Sequence, residues 1–210
     1  MRRATASQGW NLRRRPLTAL SMVICIGIYF VGELSRTLEV QIWDRLGFFP
    51  LLALREPTNF GGALEAIRGG EYWRLITPSL LHVNLVHLIF NMWATSIEST
   101  AIEYTRGTRT LAVIILVSAV LSNIGQFVYG MEVEGELIRW GGYSGVLYAL
   151  FGYIWMKSRF EPEHGMIISD SSVRVMLLWL LLGFTGIMPM ANGAHLAGLL
   201  VGMLLGRVGI

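Results

Sequence analysis

Long apolar runs, separated by short polar stretches, dominate this chain and predict helices. The runs cover about residues 17–32, 81–101, 111–130, 144–156, 173–185 and 191–206. A helix needs about 20 apolar residues to cross a bilayer, so the fourth and fifth runs are short. We expect these two runs to extend into their flanks or to be buried among neighbouring helices. The pattern therefore predicts an all-α membrane protein built as a bundle of six transmembrane helices.

The composition agrees with membrane insertion, because 53% of the residues are hydrophobic and only 15% are charged. Soluble domains carry about 25% charged residues. Five arginines precede the first apolar run, as in a signal peptide, but residues 32–36 (GELSR) make a poor cleavage site. We therefore expect residues 1–16 to form a basic cytoplasmic tail and residues 17–210 to form a single membrane domain.

The distribution of positive charge favours an orientation with both termini in the cytoplasm. With six crossings, most of the 17 lysines and arginines then lie on the cytoplasmic side, as the positive-inside rule requires. The loop before the fourth run faces outside and carries three glutamates and one arginine. The basic balance of the chain follows from this bias, so it requires no nucleic acid partner.

The first outside loop, residues 35–80, is too long for a simple connection and is partly apolar. Its residues 46–54 are too few to cross a membrane, so we expect them to lie at the outer interface. Trp73 and Arg74 suit the headgroup region, and a membrane anchor is one interpretation of this pair.

Several polar side chains are predicted to lie at one level beneath the outer surface. If the crossings alternate, the second, fourth and sixth helices all begin outside. Ser144 opens the fourth helix, and His195 lies about four residues into the sixth. With a second helix that begins near His82, His87 and Asn91 lie roughly 7 and 13 Å deeper, at about 1.5 Å per residue. These two residues are four apart and therefore share one helix face.

Each of these residues also has an ordinary structural explanation. Serine is a common helix cap, and His87 could simply hold two helices together. His82, at the helix entrance, suits capping or tethering of the loop. Tyr148, one turn after Ser144, either supports an imidazole or packs as an ordinary aromatic residue.

Small residues at helical spacing predict that the fourth and sixth helices pack closely. They are Gly145, Ala149 and Gly152 on the fourth helix, and Ala194, Gly198, Gly202 and Gly206 on the sixth. Such packing would bring Ser144 within hydrogen-bond distance of His195. The imidazole could then act as a general base for the serine hydroxyl.

A serine and histidine dyad is the predicted chemistry, because neither helix carries an acid that could complete a triad. Gly142 and Gly145 flank the serine and permit a tight turn that presents its hydroxyl and its N–H to a carbonyl. His87, Asn91 and the backbone N–H of the serine are the candidate donors to an oxyanion.

These residues resemble those of the rhomboid family of intramembrane serine proteases, in particular its bacterial GlpG-like branch. The similarity covers about residues 71–206. The signature positions are Trp73, Arg74, His82, His87, Asn91, the GYSG segment at 142–145, Tyr148 and the ANGAH segment at 191–195.

The resemblance implies a role for each of the central residues. Ser144 would be the nucleophile and His195 the general base, with Tyr148 stacked on the imidazole. His87, Asn91 and the backbone of the serine would form the oxyanion hole.

The resemblance also implies properties of the whole protein. It implies a six-helix core, a movable fifth helix that admits substrate, and cleavage of transmembrane substrates near their outer end, in the cell membrane of a prokaryote. Glu103 and Gly107 would make structural contacts. No metal or cofactor is implied, and the single cysteine, Cys25, excludes a zinc site built from thiolates. Residues 46–70 match no motif of the family.

Two other functions remain as hypotheses. A catalytically silent member of the family would bind transmembrane clients without cleaving them, but such members lack the serine or the histidine, and this chain has both. A transporter or proton channel would need polar residues through the full depth of the membrane. Here they cluster near one face.

Overall fold

The computed structural model describes residues 15–209, except for the side chain of His164. Every regular element in that range is helical, which confirms the all-α prediction. The α-helices are α1 (Pro16–Glu33), α2 (Arg36–Leu46), α3 (Phe60–Ala63), α4 (Glu65–Arg68), α5 (Leu85–Arg106), α6 (Thr108–Tyr129), α7 (Ser144–Phe160), α8 (Asp170–Gly183) and α9 (Asn192–Val208). Short 3₁₀ turns occur at Leu51–Arg55, Tyr72–Leu75, Thr77–Leu80 and Pro162–His164, and a π-helical turn at Gly130–Glu134 prolongs α6. The predicted basic tail, residues 1–16, lies outside the described residues except for its last two positions.

Six of these helices, α1 and α5 to α9, coincide with the six apolar runs, and the main difference is the start of α5. The side chain of Asn84 accepts a 2.8 Å hydrogen bond from the N–H of His87 and caps the helix. The helix therefore begins at Leu85, and the predicted start near His82 was wrong. His87 and Asn91 are the third and seventh residues of α5, only about 3 and 9 Å from its start.

Two helices of the described range are long and apolar enough to cross a membrane by themselves. They are Pro16–Glu33, with a mean hydropathy of 1.7, and Thr108–Glu134, with 2.2. By contrast, α7 and α9 have 17 residues each and α8 has 14, while α5 carries Glu98, Glu103 and Arg106. The count of six crossings stays a prediction. None of residues 144–158 of α7 is exposed, so this short helix is sheltered by its neighbours.

Glu103 joins three helix ends at one end of the bundle. It accepts hydrogen bonds from the N–H of Leu17 at 3.0 Å and from the N–H and hydroxyl of Thr18 at 2.9 and 2.7 Å. The hydroxyl of Thr108 donates a further hydrogen bond at 2.9 Å. The starts of α1 and α6 therefore lie beside the end of α5, as expected when consecutive long helices run in opposite directions.

Glu161 makes a second connection at the same end. It accepts hydrogen bonds of 2.7 Å from both Lys157 and Arg106, and thereby links the end of α7 to the end of α5. The bonds from Lys157 and then Arg106 hold the pKa of Glu161 well below its usual value, at about 2. Arg207 of α9 lies 4.6 Å above the ring of Phe160. Because α5, α7 and α9 all end here, all three begin at the opposite end.

The apolar part of the first loop packs against protein. Phe48 and Phe49 are each 4% exposed, and their rings lie 5.1 and 5.4 Å from that of Trp140. Phe48 also stacks on Phe127 of α6 at 5.3 Å. The expected interfacial position of residues 46–54 was therefore wrong for these two aromatic residues, because the bundle offers them an apolar surface. Leu52 remains exposed.

Arg74 holds the first loop together from within. Its guanidinium donates to the carbonyl oxygens of Asp44 at 2.7 Å and Gly47 at 2.9 Å, and it forms a 2.6 Å ion pair with Glu71. The side chain is buried, so its interpretation as a headgroup anchor was wrong. Trp73 is part exposed and donates from its indole to the carbonyl oxygen of residue 45 at 3.1 Å.

Candidate active site

A serine and a histidine meet at the end of the bundle where α5, α7 and α9 begin. Ser144 is the first residue of α7, and His195 is the fourth residue of α9. The serine Oγ lies 2.8 Å from the histidine Nε2, which is a hydrogen-bond distance. His195 is only 6% exposed, and its Nδ1 has no hydrogen-bond partner in the part of the chain that the structure describes. The geometry is thus that of a pair rather than a triad.

Backbone contact between α7 and α9 accounts for this proximity. A Cβ atom added at Gly198 would overlap the carbonyl oxygen of Gly145, and one added at Gly202 would overlap that of Ala149. On the other side, a Cβ at Gly152 would lie 2.7 Å from the carbonyl oxygen of Leu199. Because the two helices touch through their main chains, the first turn of one delivers its side chains directly onto the first turn of the other.

Tyr148 supports the imidazole from α7, one turn below the serine. Its ring centroid lies 4.8 Å from that of His195, with the ring planes 32° apart. Its hydroxyl donates to the carbonyl oxygen of Met176 in α8 at 3.3 Å. The tyrosine therefore contacts α9 with its ring and α8 with its hydroxyl.

His87 of α5 faces the turn that precedes the serine. Gly142 in that turn has φ of +135°, a backbone conformation that residues other than glycine rarely adopt. The point where its Cβ would stand is 2.8 Å from the Nε2 of His87 and 3.6 Å from the Oγ of Ser144. Both polar atoms therefore face the same small space. His82 lies beside His87, with ring centroids 5.1 Å apart and the ring planes tilted by 57°, and its Nδ1 lies 3.3 Å from the carbonyl oxygen of Leu80.

Asn91 is buried one turn below His87, and its amide is turned toward its own helix. The Nδ2 atom donates to the carbonyl oxygen of His87 at 2.8 Å, while the Oδ1 atom is buried without a partner among the described residues. No hydrogen bond within residues 15–209 joins this amide to Ser144. A primary amide carries two N–H donors, so one of them remains available.

Polar residues of α6 hold the starts of α7 and α9, and the sequence analysis missed them. The side-chain oxygen of Gln126 accepts a 3.2 Å hydrogen bond from the N–H of Ala194. Ser122 contacts Gly145, because a Cβ added at Gly145 would stand 2.7 Å from the Oγ of Ser122. The signal was present, because Ser118, Ser122 and Gln126 recur every four residues and so share one face of a largely apolar helix.

The arrangement suits nucleophilic attack by a serine. An imidazole at 2.8 Å can take the proton of the Ser144 hydroxyl. The N–H of Ser144 belongs to the first turn of α7, where helical N–H groups have no partner within the helix. Together with the imidazole of His87, it offers donors next to the nucleophile. Residues 15–209 contain no group of three or more His, Cys, Asp or Glu side chains placed to hold a metal ion.

One comparison with known proteins bears on this site. The family model described as the rhomboid domain matches residues 69–210, more than half of the chain. The matched range begins just before Trp73 and Arg74 and includes α5 to α9, with all the predicted site residues.

Proposed function

Because this chain belongs to the rhomboid family, whose members are generally serine proteases of the membrane, we propose that it is an intramembrane serine endopeptidase. The observation that carries this proposal is the 2.8 Å hydrogen bond between the Oγ of Ser144 and the Nε2 of His195. A serine hydroxyl is a weak nucleophile at neutral pH and needs such a base.

The proposed reaction passes through an acyl-enzyme. Ser144 Oγ attacks the carbonyl carbon of the scissile peptide bond while its proton passes to Nε2 of His195. The C–N bond then breaks, and the imidazolium gives that proton to the leaving amine, which leaves an ester on the serine. A water molecule loses a proton to His195 and attacks this ester. The ester bond breaks, the new carboxyl terminus departs, and the proton returns to Oγ.

The oxyanion of each tetrahedral intermediate needs donors that are already aimed at it, and one such donor is worth about 3–4 kcal/mol. We assign this role to the N–H of Ser144, to the imidazole of His87 and to the amide of Asn91. The first two already lie beside the nucleophile. The amide of Asn91 would contribute its second N–H, or turn away from the carbonyl oxygen of its own helix that it now contacts.

The proposed substrates are transmembrane segments of other proteins, which reach the site from the lipid bilayer. The charge distribution supports an orientation with both termini in the cytoplasm, which places the site near the outer face of the cell membrane. Entry beside α8 is supported by the exposed apolar residues of that helix, Val175, Leu178, Trp179 and Leu181. The hydrogen bond between Tyr148 and Met176 would then be a contact that entry of substrate disturbs.

A catalytically silent binder of transmembrane clients is the alternative function. A protease and a silent binder would both hold a client helix, but only a protease needs a serine within hydrogen-bond distance of a base. The presence of that pair favours the protease.

The test uses the full-length protein in proteoliposomes with a panel of single-span reporter proteins. Wild type should cleave at least one reporter and should react at Ser144 with a fluorophosphonate. Ser144→Ala and His195→Ala should each abolish cleavage while their thermal unfolding stays that of wild type. Ser96→Ala is the matched control and should cleave normally. Within residues 15–209, the Ser96 hydroxyl donates to the carbonyl oxygen of Trp93 in its own helix and to no other helix. Client binding that survives Ser144→Ala, without any product from folded wild type, would show the silent binder instead.

A further inference from the structure

An acidic residue, Glu98, lies in the middle of α5 and has no role in the proposed reaction. Its Oε2 atom is buried, and no hydrogen bond or ion pair reaches it within residues 15–209. Glu103, five residues later on the same helix, receives four hydrogen bonds. An ionisable group within a membrane segment is costly unless it has a partner. Glu98 therefore differs from Glu103, because the described residues offer its Oε2 atom no partner.

Glu98 lies directly below the predicted oxyanion donors. It follows Asn91 by seven residues, and a helix turns by nearly two full turns over that distance. The two side chains therefore point within about 20° of each other, with Glu98 about 10 Å deeper. His87, four residues before Asn91, belongs to the same face. The carboxyl group of Glu98 therefore lies on the face of α5 that meets the catalytic pair, deeper along the helix.

Tyr148 marks the side of the catalytic pair that is next to α8. The ring of Tyr148 stacks on His195, and its hydroxyl contacts α8. A substrate helix that enters between α5 and α8 would therefore pass Tyr148 and the face of α5 that carries Glu98.

Three cations of the described chain near the end of α5 already have hydrogen-bond partners. Lys157 and Arg106 both bond to Glu161, and Arg15 donates to Thr100. A carboxylate bonds most strongly to charged donors. A lysine or arginine in a transmembrane segment is itself costly to bury alone, so pairing relieves both groups.

We propose that Glu98 is a recognition site for a lysine or arginine in the transmembrane segment of the substrate, on the side of the cleaved bond that lies deeper in the membrane. This proposal rests on the proposed protease function. The depth of about 10 Å corresponds to about three residues of extended substrate chain or about seven residues of helix. The basic residue should therefore lie three to eight residues from the cleaved bond.

The experiment compares reporters that differ at a single position. Lysine, leucine or glutamate is placed in turn at each position from three to eight residues beyond the cleaved bond, and initial rates are measured with the full-length enzyme in proteoliposomes. For wild type, the lysine reporter should be cleaved about tenfold faster than the leucine reporter at one of these positions, as expected for a buried hydrogen bond to a charged group. Glu98→Gln should remove this preference and leave the leucine reporter within about twofold of wild type. Glu98→Lys should favour the glutamate reporter.

Two further variants keep the outcome decisive. Leucine is similar in size to glutamate and has no polar group. Glu98→Leu therefore tests the loss of the lysine preference if Glu98→Gln does not fold. Ser99→Ala removes the neighbouring hydroxyl, which is also buried without a partner in the described range, and should keep the lysine preference. Cleavage that depends on Ser144 but never favours lysine, or a preference that persists in Glu98→Gln or Glu98→Leu, would overturn the recognition site and leave the protease intact. A folded wild type that cleaves no reporter and reacts with no fluorophosphonate would overturn both proposals.

Discussion

Gly198 is the position where a single added carbon should disturb the catalytic pair most directly. It lies three residues after His195, and its missing side chain faces the backbone of Gly145, the residue after Ser144. In Gly198→Ala the new Cβ would lie 3.0 Å from the carbonyl carbon and 3.4 Å from the Cα of Gly145, and it would overlap the carbonyl oxygen. Carbon atoms in contact prefer about 3.5–4.0 Å. The helices α7 and α9 must therefore separate by about 0.5–1 Å at this level.

The consequence can be estimated from the distance within the pair. Ser144 Oγ and His195 Nε2 are 2.8 Å apart, and a separation of about 1 Å takes them beyond hydrogen-bond range. A misplacement of this size lowers an enzymatic rate by about 100-fold. Overpacking of a helix interface lowers the free energy of unfolding by about 1–3 kcal/mol. We expect Gly198→Ala to fold, with a much larger loss of activity than of stability.

A matched variant separates the two effects. Gly206 lies on the same face of α9, about 12 Å further along the helix, where an added Cβ would stand 2.8 Å from the carbonyl oxygen of Tyr153. Gly206→Ala should also lose stability, although less because the overlap is smaller, and should lose less than about tenfold in rate. The measurements are reporter cleavage and fluorophosphonate labelling in proteoliposomes, with thermal unfolding of the purified variants. A wild-type rate for Gly198→Ala, or equal loss of rate in both variants, would refute the steric argument.

Three other substitutions test parts of the structure around the pair. Gly142→Ala should lower cleavage and cost about 1–3 kcal/mol in unfolding free energy, because φ of +135° strains any side chain and the new carbon would meet His87; an unchanged rate would contradict this. Arg74→Lys should lower the unfolding free energy by about 2 kcal/mol and make the first loop more sensitive to limited proteolysis. The reason is that lysine cannot bond at once to the two carbonyl oxygens and the Glu71 carboxylate that Arg74 contacts. Equal digestion of the variant and wild type would argue against this role. Glu103→Gln should cost about 1–3 kcal/mol in thermal unfolding, because an amide nitrogen would face donors such as Thr18, and unchanged unfolding would exclude that role.

The features that the sequence predicted well depend on local spacing. The apolar runs marked all six long helices, because length and periodicity are properties of neighbouring residues. The glycines at 198 and 202 predicted that the serine and histidine would be close, and the structure places them 2.8 Å apart. Their catalytic roles, the number of crossings and the membrane orientation stay predictions.

The features that the sequence did not predict depend on partners far apart in the chain. A headgroup anchor was one interpretation of Arg74, because nothing near it in sequence indicates that its guanidinium would bind two carbonyl oxygens about 30 residues earlier. The start of α5 was misplaced because apolar content alone does not show that Asn84 caps the helix. Phe48 and Phe49 were expected at the lipid interface, since an apolar residue gives the same signal whether lipid or protein covers it.

The sheltered position of α7 has a consequence for how this protein tolerates sequence change. Since none of residues 144–158 is exposed, every side chain there must fit a fixed set of neighbours, and even small changes of volume are felt. Trp93 and Ile97 of α5 face outward, where any apolar residue of similar length would serve. In a library of random single substitutions selected for folded protein, α7 should accept few replacements and the outer face of α5 many. Natural variation should therefore accumulate around the periphery of the bundle, while the central helix changes little.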